Sequence, residues 1–286
     1  MKAPDFEYIK VTSLEEAFEQ LAHHGESGQI LAGGQSLMAM LNLRLTTPGC
    51  LIDIGGVPGL REIRRDGETV RVGALVTHRQ LEESAEIATS VPLLAQAAPH
   101  VAHLAIRNAG TIGGSLALAD PAAEYPAVVV ALGATIVVQG TKGVRRIPAA
   151  DFFEGFYRTA RQPQEILVGV EFPVQRSGER AHFSELARRR GDYAMVGLAA
   201  VLDFDRNTVS RARLAFLAVG DRPVLAVNAM AALQGRAPDA EAVRAAQDAL
   251  ARDLDPSADL QADPATKMHL ARVLLGRAVA QLRQAK

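Results

Sequence analysis

The stretch Gln29-Ile-Leu-Ala-Gly-Gly-Gln-Ser36 decides the fold of the amino-terminal part of this chain. A short apolar run, typical of a strand, leads directly into the pair Gly33-Gly34 and then into a hydroxyl residue. Glycine has no Cβ and adopts positive φ freely, so such a turn brings backbone N–H groups close to an anion. A strand, a glycine turn and a helix in this order are typical of a phosphate-binding crossover.

A second stretch, Thr111-Ile-Gly-Gly-Ser115, has the same design. Two such loops predict two phosphates held from opposite sides, as in the pyrophosphate of a dinucleotide. The structural alternative is a pair of tight turns. Neither G-x-G-x-x-G nor G-x-x-x-x-G-K-[ST] occurs, so the chain has no Rossmann fingerprint and no Walker A loop.

Hydrophobic patterning around the first loop predicts a β-α-β-α-β unit. Ser13 and Glu16 form a capping box that opens the first helix, and Ser36 is placed to cap the second. The predicted elements are a strand at 6–11, a helix from Ser13 to about Ala22, a strand at 29–32, a helix at 37–43 and a strand at 51–54.

The remaining chain predicts an α+β fold in two further parts. The middle part interleaves strands at 70–74, 134–139 and 165–172 with helices at 77–83, 90–98 and 125–132. After a linker at 176–178, strands at 182–187, 194–205 and 209–219 form an antiparallel meander, followed by helices near 225–233, 240–252 and 264–284. We therefore expect domains at 1–55, 56–175 and 176–286.

Composition excludes several classes of protein. The 286 residues carry a net charge of −1, so the basic face of a nucleic-acid-binding protein is absent. Cys50 is the only cysteine, which rules out an intrachain disulfide, a zinc cluster or an iron–sulfur site of its own, and we expect it to be a small buried hydrophobe. His78, His100 and His103 have no metal-ligand pattern around them, so no metal site is predicted. No signal peptide or membrane span is evident, and we expect a cytoplasmic protein.

Five segments in a fixed order resemble a known family. They are Gln29–Ser36, Arg107–Ser115, Ala119-Asp120-Pro121, Glu165-Ile-Leu167 and Arg189-Arg-Gly-Asp-Tyr193. Together they resemble the FAD-binding medium subunit of the molybdenum hydroxylases. This group includes bacterial carbon monoxide dehydrogenase and N-heterocycle hydroxylases such as quinoline oxidoreductase, and xanthine dehydrogenase has the module as an internal domain. The resemblance covers essentially the whole chain.

This resemblance implies a fold and an electron relay. The implied fold is a two-part FAD-binding domain, a βαβ subdomain plus a mixed α/β subdomain, followed by a C-terminal antiparallel sheet with a helical bundle. In the implied relay, a large molybdopterin subunit oxidises the substrate and a small subunit carries two [2Fe–2S] clusters. The FAD of the medium subunit then passes the electrons to an external acceptor, in a dimer of heterotrimers. A single cysteine agrees with clusters on another chain.

The resemblance also implies the site residues. The two loops match segments that bind the pyrophosphate and ribityl chain, Glu124 matches an acidic position near the cofactor, and Val101 and Leu167 match apolar lining positions. Tyr193 matches an aromatic residue against the isoalloxazine, which would block a nicotinamide, so we expect oxygen, a quinone or another carrier as acceptor. The implied cofactor-binding residues are Gln29, Ile30, Leu31, Ala32, Gly33, Gly34, Gln35, Ser36, Val101, Thr111, Ile112, Gly113, Gly114, Ser115, Glu124, Leu167 and Tyr193.

Departures from the family and two other functions stay open at this point. Gln35 and Ser115 resemble quinoline oxidoreductase, whereas carbon monoxide dehydrogenases tend to have His and Asn there; Ser184 replaces the lysine of xanthine dehydrogenases. The chain could instead be a scaffold that binds no cofactor, which would be colourless. It could also be a self-sufficient FAD oxidoreductase, although the sequence offers no placed base. For Tyr193 the alternative is an aromatic residue packed on the core.

Overall fold

The computed structural model describes residues 2–284, and four β-sheets organise them. The first unit is the predicted β-α-β-α-β arrangement. Its elements are β1 (Glu7–Lys10), α1 (Leu14–His24), β2 (Gly28–Leu31), α2 (Leu37–Asn42) and β3 (Cys50–Asp53). The three strands are parallel in the order β1-β3-β2, so the prediction for this unit is confirmed.

The caps of the first unit differ in part from the prediction. The Ser13 hydroxyl accepts from the N–H of Glu16 at 3.1 Å, which begins α1 as expected. The Glu16 carboxylate, however, accepts from the N–H of Thr12 at 2.8 Å, one residue earlier than a reciprocal capping box requires. Ser36 makes no side-chain capping bond, so the prediction that it caps α2 is wrong, because its own backbone is already helical.

The second unit contains a five-stranded sheet and seven short helices among the described residues. Its elements are β4 (Ile63–Asp66), β5 (Thr69–Gly73), α3 (His78–Glu83), α4 (Ala85–Ser90), α5 (Pro92–Ala97), α6 (Leu104–Arg107), α7 (Ile112–Leu118), α8 (Glu124–Leu132), β6 (Thr135–Gly140), β7 (Gly143–Pro148), α9 (Ala149–Phe152), β8 (Phe153–Gly155), β9 (Arg158–Thr159) and β10 (Ile166–Pro173). The antiparallel sheet has the order β4-β5-β10-β6-β7.

Several elements of this unit were not predicted: the edge strands β4 and β7, the short strands β8 and β9, and the helices α4, α6, α7 and α9. β4 and β7 are mostly exposed and rich in arginine, so they lack the apolar alternation that marks a half-buried strand. The helix predicted at 90–98 is α5, which begins at Pro92 because proline cannot continue the preceding helix α4. The edge strands lie at the periphery of the unit, whereas α5 contributes Leu93 and Leu94 to its core.

The long strand β10 belongs to two hydrophobic cores. Ile166 and Val168 pack in the core of the first unit with residues such as Ile52. Leu167 and Phe172 pack in the core of the second unit. Side chains alternate between the faces at 166–168, and the register shift between Leu167 and Gly169 then places Phe172 in the same core as Leu167, so one strand forms a wall between the two cores. The two units are therefore joined by a shared strand.

The third unit is an antiparallel sheet covered by helices. Its elements are β11 (Glu179–Ala187), β12 (Ala194–Asp205), β13 (Thr208–Leu217), β14 (Val224–Leu225), α10 (Val227–Leu233), α11 (Ala240–Asp253) and α12 (Pro264–Gln284). The sheet order β11-β12-β13-β14 confirms the predicted meander and adds one short strand. In β12, Leu198 faces the helices, whereas Ala199 faces the core that contains α8. Across residues 2–284, no helix combines the length and apolarity needed to cross a membrane.

Candidate functional site

The two glycine loops lie directly against each other. A Cβ on Gly33 would lie 2.2 Å from the carbonyl oxygen of Ala109 and 2.8 Å from the Cα of Gly110. Real Cβ atoms do not approach that closely, so this contact requires glycine. The first loop, which ends β2, is thus packed on the segment that enters the second loop.

The first loop presents backbone donors that the protein does not use. Among residues 2–284, the N–H groups of Gly33, Gly34, Gln35 and Ser36 have no protein acceptor. The Gln35 side chain turns back and donates from Nε2 to the Gly33 carbonyl at 3.1 Å, and Gly34 has a φ of +69°. Successive free N–H groups around a positive-φ glycine are typical of an anion-binding nest. The loop is therefore suited to hold a phosphate group.

The second loop, Thr111–Ser115, uses its donors within the protein. The three N–H groups after Thr111 donate in turn to the carbonyl oxygens of Val76 (3.0 Å) and Ala74 (2.9 Å) and to the Thr111 hydroxyl (3.1 Å). A Cβ on Gly113 would lie 2.6 Å from the Cβ of Ala74. The N–H groups of residues 112–114 thus have acceptors within the protein, unlike those of the first loop. The glycines of the second loop allow close packing, and its N–H groups fix its position.

A buried histidine, His78, packs against Gly110 directly before the second loop. A Cβ on Gly110 would lie 2.7 Å from Nε2 of the His78 ring. The backbone N–H of His78 donates to the Gly110 carbonyl at 3.0 Å. Burial and the charge of Arg107 lower the pKa of His78 to about 4, so its imidazole is neutral at physiological pH. The ring packs against Tyr125 at 5.2 Å between centroids. His78 is a buried packing residue, and its Nδ1 has no hydrogen-bond partner among the described residues.

Helix α7 connects the loops to a second group of polar side chains. It begins within the second loop and, with seven residues, extends for about 10 Å. It ends at Ala119, which has a φ of +55°, and the next residue is the buried Asp120. Burial raises the pKa of the Asp120 carboxyl, while the N–H of Ala122, which donates to it at 2.9 Å, and the nearby Tyr157 hydroxyl oppose that rise.

Tyr193 lies beside this group and is exposed. Its side chain is 63% exposed just before β12, so the alternative that it packs on the core is wrong. Partial burial and the nearby Asp120 carboxylate raise the pKa of the phenol. The preceding Gly191 has a φ of +80°, and a Cβ there would lie 2.6 Å from the Ala102 carbonyl oxygen. The turn is thus held against the segment that follows Val101.

A partly buried carboxyl completes the polar group. Glu124 is the first residue of α8, and burial raises its pKa to about 8, with Glu185 and Asp120 adding to the rise. The Glu185 carboxylate in turn lies 3.1 Å from Nδ1 of His100. Glu124 is therefore mostly protonated at neutral pH. A neutral carboxyl can donate a hydrogen bond and adds no negative charge beside an anionic ligand.

The remaining candidates have varied surroundings. Ile30 and Ala32 pack on the first core, and Val101 packs on the second. Leu167 is 4% exposed within the second core. The carbonyl of the next residue, Val168, accepts a hydrogen bond at 3.0 Å from the N–H of Ala74, whose own carbonyl accepts from the second loop. The structure thus connects Leu167 to the loops through β10.

Two residues of this region were missed from the sequence. Tyr157 has a φ of +53° and belongs to no recognisable motif, so only the fold reveals that it reaches Asp120. Arg107 lies inside a quoted motif, but its role is structural: it donates to the carbonyls of Val101 and Ala102 at 3.2 and 3.0 Å. No local sequence signal marks either contact.

Comparison with known proteins identifies the family of this chain. Residues 4–175 match the family described as the FAD binding domain in molybdopterin dehydrogenase, and residues 181–282 match the CO dehydrogenase flavoprotein C-terminal domain. The alpha subunit of the 6-hydroxypseudooxynicotine dehydrogenase complex of Paenarthrobacter nicotinovorans is 38% identical over 98% of this chain and 95% of its own length.

Solved structures give the same result. A structure of carbon monoxide dehydrogenase from Hydrogenophaga pseudoflava that lacks the Mo-pyranopterin moiety matches with a TM-score of 0.97 and 39% identity, covering 100% of both chains. Quinoline 2-oxidoreductase from Pseudomonas putida 86 matches with a TM-score of 0.95 and 38% identity, covering 99% of both chains. The predicted resemblance and fold are confirmed, and the chain belongs to the FAD-binding subunits of the molybdopterin dehydrogenases.

Proposed function

We propose that this oxidoreductase subunit carries electrons between the other subunits of its complex and an external acceptor. It would receive them from [2Fe–2S] clusters on a partner subunit, while a molybdopterin subunit oxidises the organic substrate. The presence of one cysteine, which is buried, supports the location of the clusters on another chain. We further propose a cytoplasmic dimer of heterotrimers, on the strength of the resemblance.

The free donors of the first loop are the observation that carries this proposal. The N–H groups from Gly33 to Ser36 would bind the pyrophosphate of FAD, and the second loop would hold them in place through the contact between Gly33 and Ala109. The Ser36 hydroxyl, which caps no helix, is available for a further hydrogen bond. When bound, FAD supplies the electron-accepting and electron-releasing chemistry.

The polar group beyond α7 would surround the flavin ring. We assign Tyr193 to one face of the isoalloxazine ring, since its exposed side chain does not pack in the protein core. Asp120, which accepts from the N–H of Ala122, and the nearby Tyr157 hydroxyl would orient this region. Because its carboxyl is protonated at neutral pH, Glu124 would donate a hydrogen bond without repelling the anionic cofactor. These assignments leave oxygen or a quinone as the expected acceptor.

Gly34→Ala tests the binding of FAD. Gly34 has a φ of +69°, and a new Cβ would meet only the flexible side chains of Leu31 and Met38, at 3.3 and 3.4 Å. The variant should fold, at a backbone cost of roughly 1–2 kcal/mol, but turn the N–H donors away from the phosphate. Gly59→Ala is the matched control, because its φ of +79° gives the same strain with no atom within 4 Å.

The measurement is flavin per chain, from absorbance near 450 nm after purification. We expect the wild type and Gly59→Ala to be fully loaded and Gly34→Ala to lose most of its flavin. Equal loading of all three would contradict the role of the first loop. A colourless wild type, even after incubation with FAD, would favour the scaffold function.

Partner dependence tests the relay. The isolated chain with FAD should not oxidise an organic substrate, whereas the chain combined with its iron–sulfur and molybdopterin subunits should pass substrate electrons to a dye. Gly34→Ala should stop that transfer while the substrate still reduces the clusters. Full turnover by the isolated chain would instead establish a self-sufficient oxidoreductase.

A further inference from the structure

Three side chains with metal-binding atoms meet at the amino-terminal edge of the first sheet. Glu7 begins β1, Cys50 begins β3 directly opposite, and Gly28 begins β2 on the other side of Cys50. His24 is the last residue of α1, and its side chain lies close to Glu7 and Cys50. One carboxylate oxygen, one imidazole nitrogen and the Cys50 sulfur all lie within 4.8 Å of one another.

Gly28 makes this meeting possible. A Cβ at that position would lie 3.0 Å from the Cβ of His24, which is tighter than almost all real contacts. Without a side chain on β2, the imidazole occupies the space above the sheet and approaches the neighbouring strand. Its Nε2 then lies 4.0 Å from a carboxylate oxygen of Glu7.

Backbone and hydroxyl hydrogen bonds fix the three segments relative to one another. The N–H of Glu7 donates to the Gly49 carbonyl at 2.8 Å, and the N–H of Gly49 donates to the Ser27 carbonyl at 3.0 Å. The Ser27 hydroxyl donates to the His24 carbonyl at 2.7 Å. The positions of all three side chains on the backbone are therefore set before any ligand arrives.

Exposure decides what this cluster can do. The Cys50 side chain is fully buried, so no organic substrate can reach its sulfur as a nucleophile. His24 is 14% exposed at its side chain and Glu7 is 60% exposed, so solvent reaches the two side chains whose ligand atoms lie within 4.8 Å of the sulfur. A single ion can therefore meet the carboxylate and the imidazole first.

We propose that Glu7, His24 and Cys50 form a zinc site. Thiolate, imidazole and carboxylate are ligands that Zn²⁺ prefers, and three of them leave a fourth position for water. Around zinc, such atoms are about 3.5 Å apart, so the two accessible side chains need to move by about 1 Å or less. The ion replaces the proton of the thiol, which is released to solvent.

The site is separate from the flavin. The zinc ligands lie where the strands begin, whereas the first glycine loop follows the end of β2, four residues or about 13 Å along. A bound ion would join α1 to β1 and β3. Its effect should therefore appear in the stability of the first unit and leave flavin content unchanged.

Cobalt substitution tests the site in the full-length chain, freed of metal and flavin beforehand. Cobalt bound to a thiolate produces a charge-transfer band in the near ultraviolet, and Cys50 is the only cysteine in the sequence. We expect this band to saturate at one Co²⁺ per chain and to disappear when one Zn²⁺ is added. Cys50→Ala should abolish the band.

Two exposed positions distinguish ligation from damage to the fold. Glu7→Gln and His24→Gln should each weaken zinc binding by at least about tenfold, whereas His23→Gln, at the neighbouring exposed histidine, should not. Circular dichroism checks that each variant is folded. No thiolate band in the folded wild type, or a band that neither Glu7→Gln nor His24→Gln weakens, would overturn the proposal.

Discussion

Lys267 donates a hydrogen bond from its buried ammonium group to the carbonyl oxygen of Ala218, at 3.1 Å, and pairs with Asp259 at 2.7 Å. Ala218 has a φ of +62°, and its N–H donates to the carbonyl of Pro121 at 2.9 Å. Pro121 directly follows Asp120 of the candidate site. The last helix thus holds the loop that carries this carboxyl, although α12 lies in a different unit from the glycine loops.

Removing the Lys267 ammonium group should therefore lower the stability of the folded protein. Lys267→Met leaves the Ala218 carbonyl without its donor, and we expect the free energy of unfolding to fall by about 1–3 kcal/mol. Urea denaturation measures the change. Arg277→Met, on the exposed face of the same helix, is the control and should change it by less than about 0.5 kcal/mol. Equal stabilities of the two variants would show that the Lys267 contact contributes nothing.

Replacing Tyr193 should alter the flavin and leave the fold unchanged. Because the side chain is 63% exposed, Tyr193→Ala should change the free energy of unfolding by less than about 0.5 kcal/mol. If the ring covers the isoalloxazine, the variant should shift the visible spectrum and change the rate of reoxidation by oxygen. Tyr193→Phe keeps the stacking ring and should stay close to the wild type. Identical spectra for all three proteins would remove Tyr193 from the flavin site.

Glu124 should make stability depend on pH. Burial raises its pKa from 4.5 to about 8, so between these values the folded chain holds a proton that the unfolded chain releases. The free energy of unfolding contributed by this group therefore falls as pH rises from about 4.5 to about 8. Glu124→Gln cannot ionise, and it should gain stability relative to the wild type between pH 5 and pH 8.

Urea titrations at the two pH values measure this difference. Glu62→Gln, at an exposed position on the same unit, provides the comparison and should follow the wild type at both. A wild type and a Glu124→Gln variant that differ by the same amount at pH 5 and pH 8 would show that Glu124 is ionised throughout.

The sequence predicted the parts of the fold that repeat a local pattern. The βαβ unit, the antiparallel meander and α12 each carry a clear hydrophobic period or a cap, and the structure confirms them. β4 and β7 were missed because edge strands with exposed arginines show no such period. Three local signals were passed over: Pro92, which begins α5, and the capping residues Ser84 and Thr111, which begin α4 and α7.

The site was predictable in its location and less so in its chemistry. Both glycine loops were visible as motifs, but only the fold shows that Gly33 and Gly113 serve protein packing while the first loop keeps its N–H groups free. Tyr157 and the pKa of Glu124 depend on side chains distant in sequence. No reading of neighbouring residues reveals such contacts.

The strand shared between two cores has a consequence for how the chain is made. The first unit ends near residue 55, yet its core also contains Ile166 and Val168 from β10. During synthesis, the amino-terminal unit therefore waits for more than a hundred further residues before its interior can close. A fragment that stops after β3 exposes that interior to water and lacks Ala109 and Gly110, against which Gly33 packs. The first glycine loop has its full surroundings only when both halves have left the ribosome.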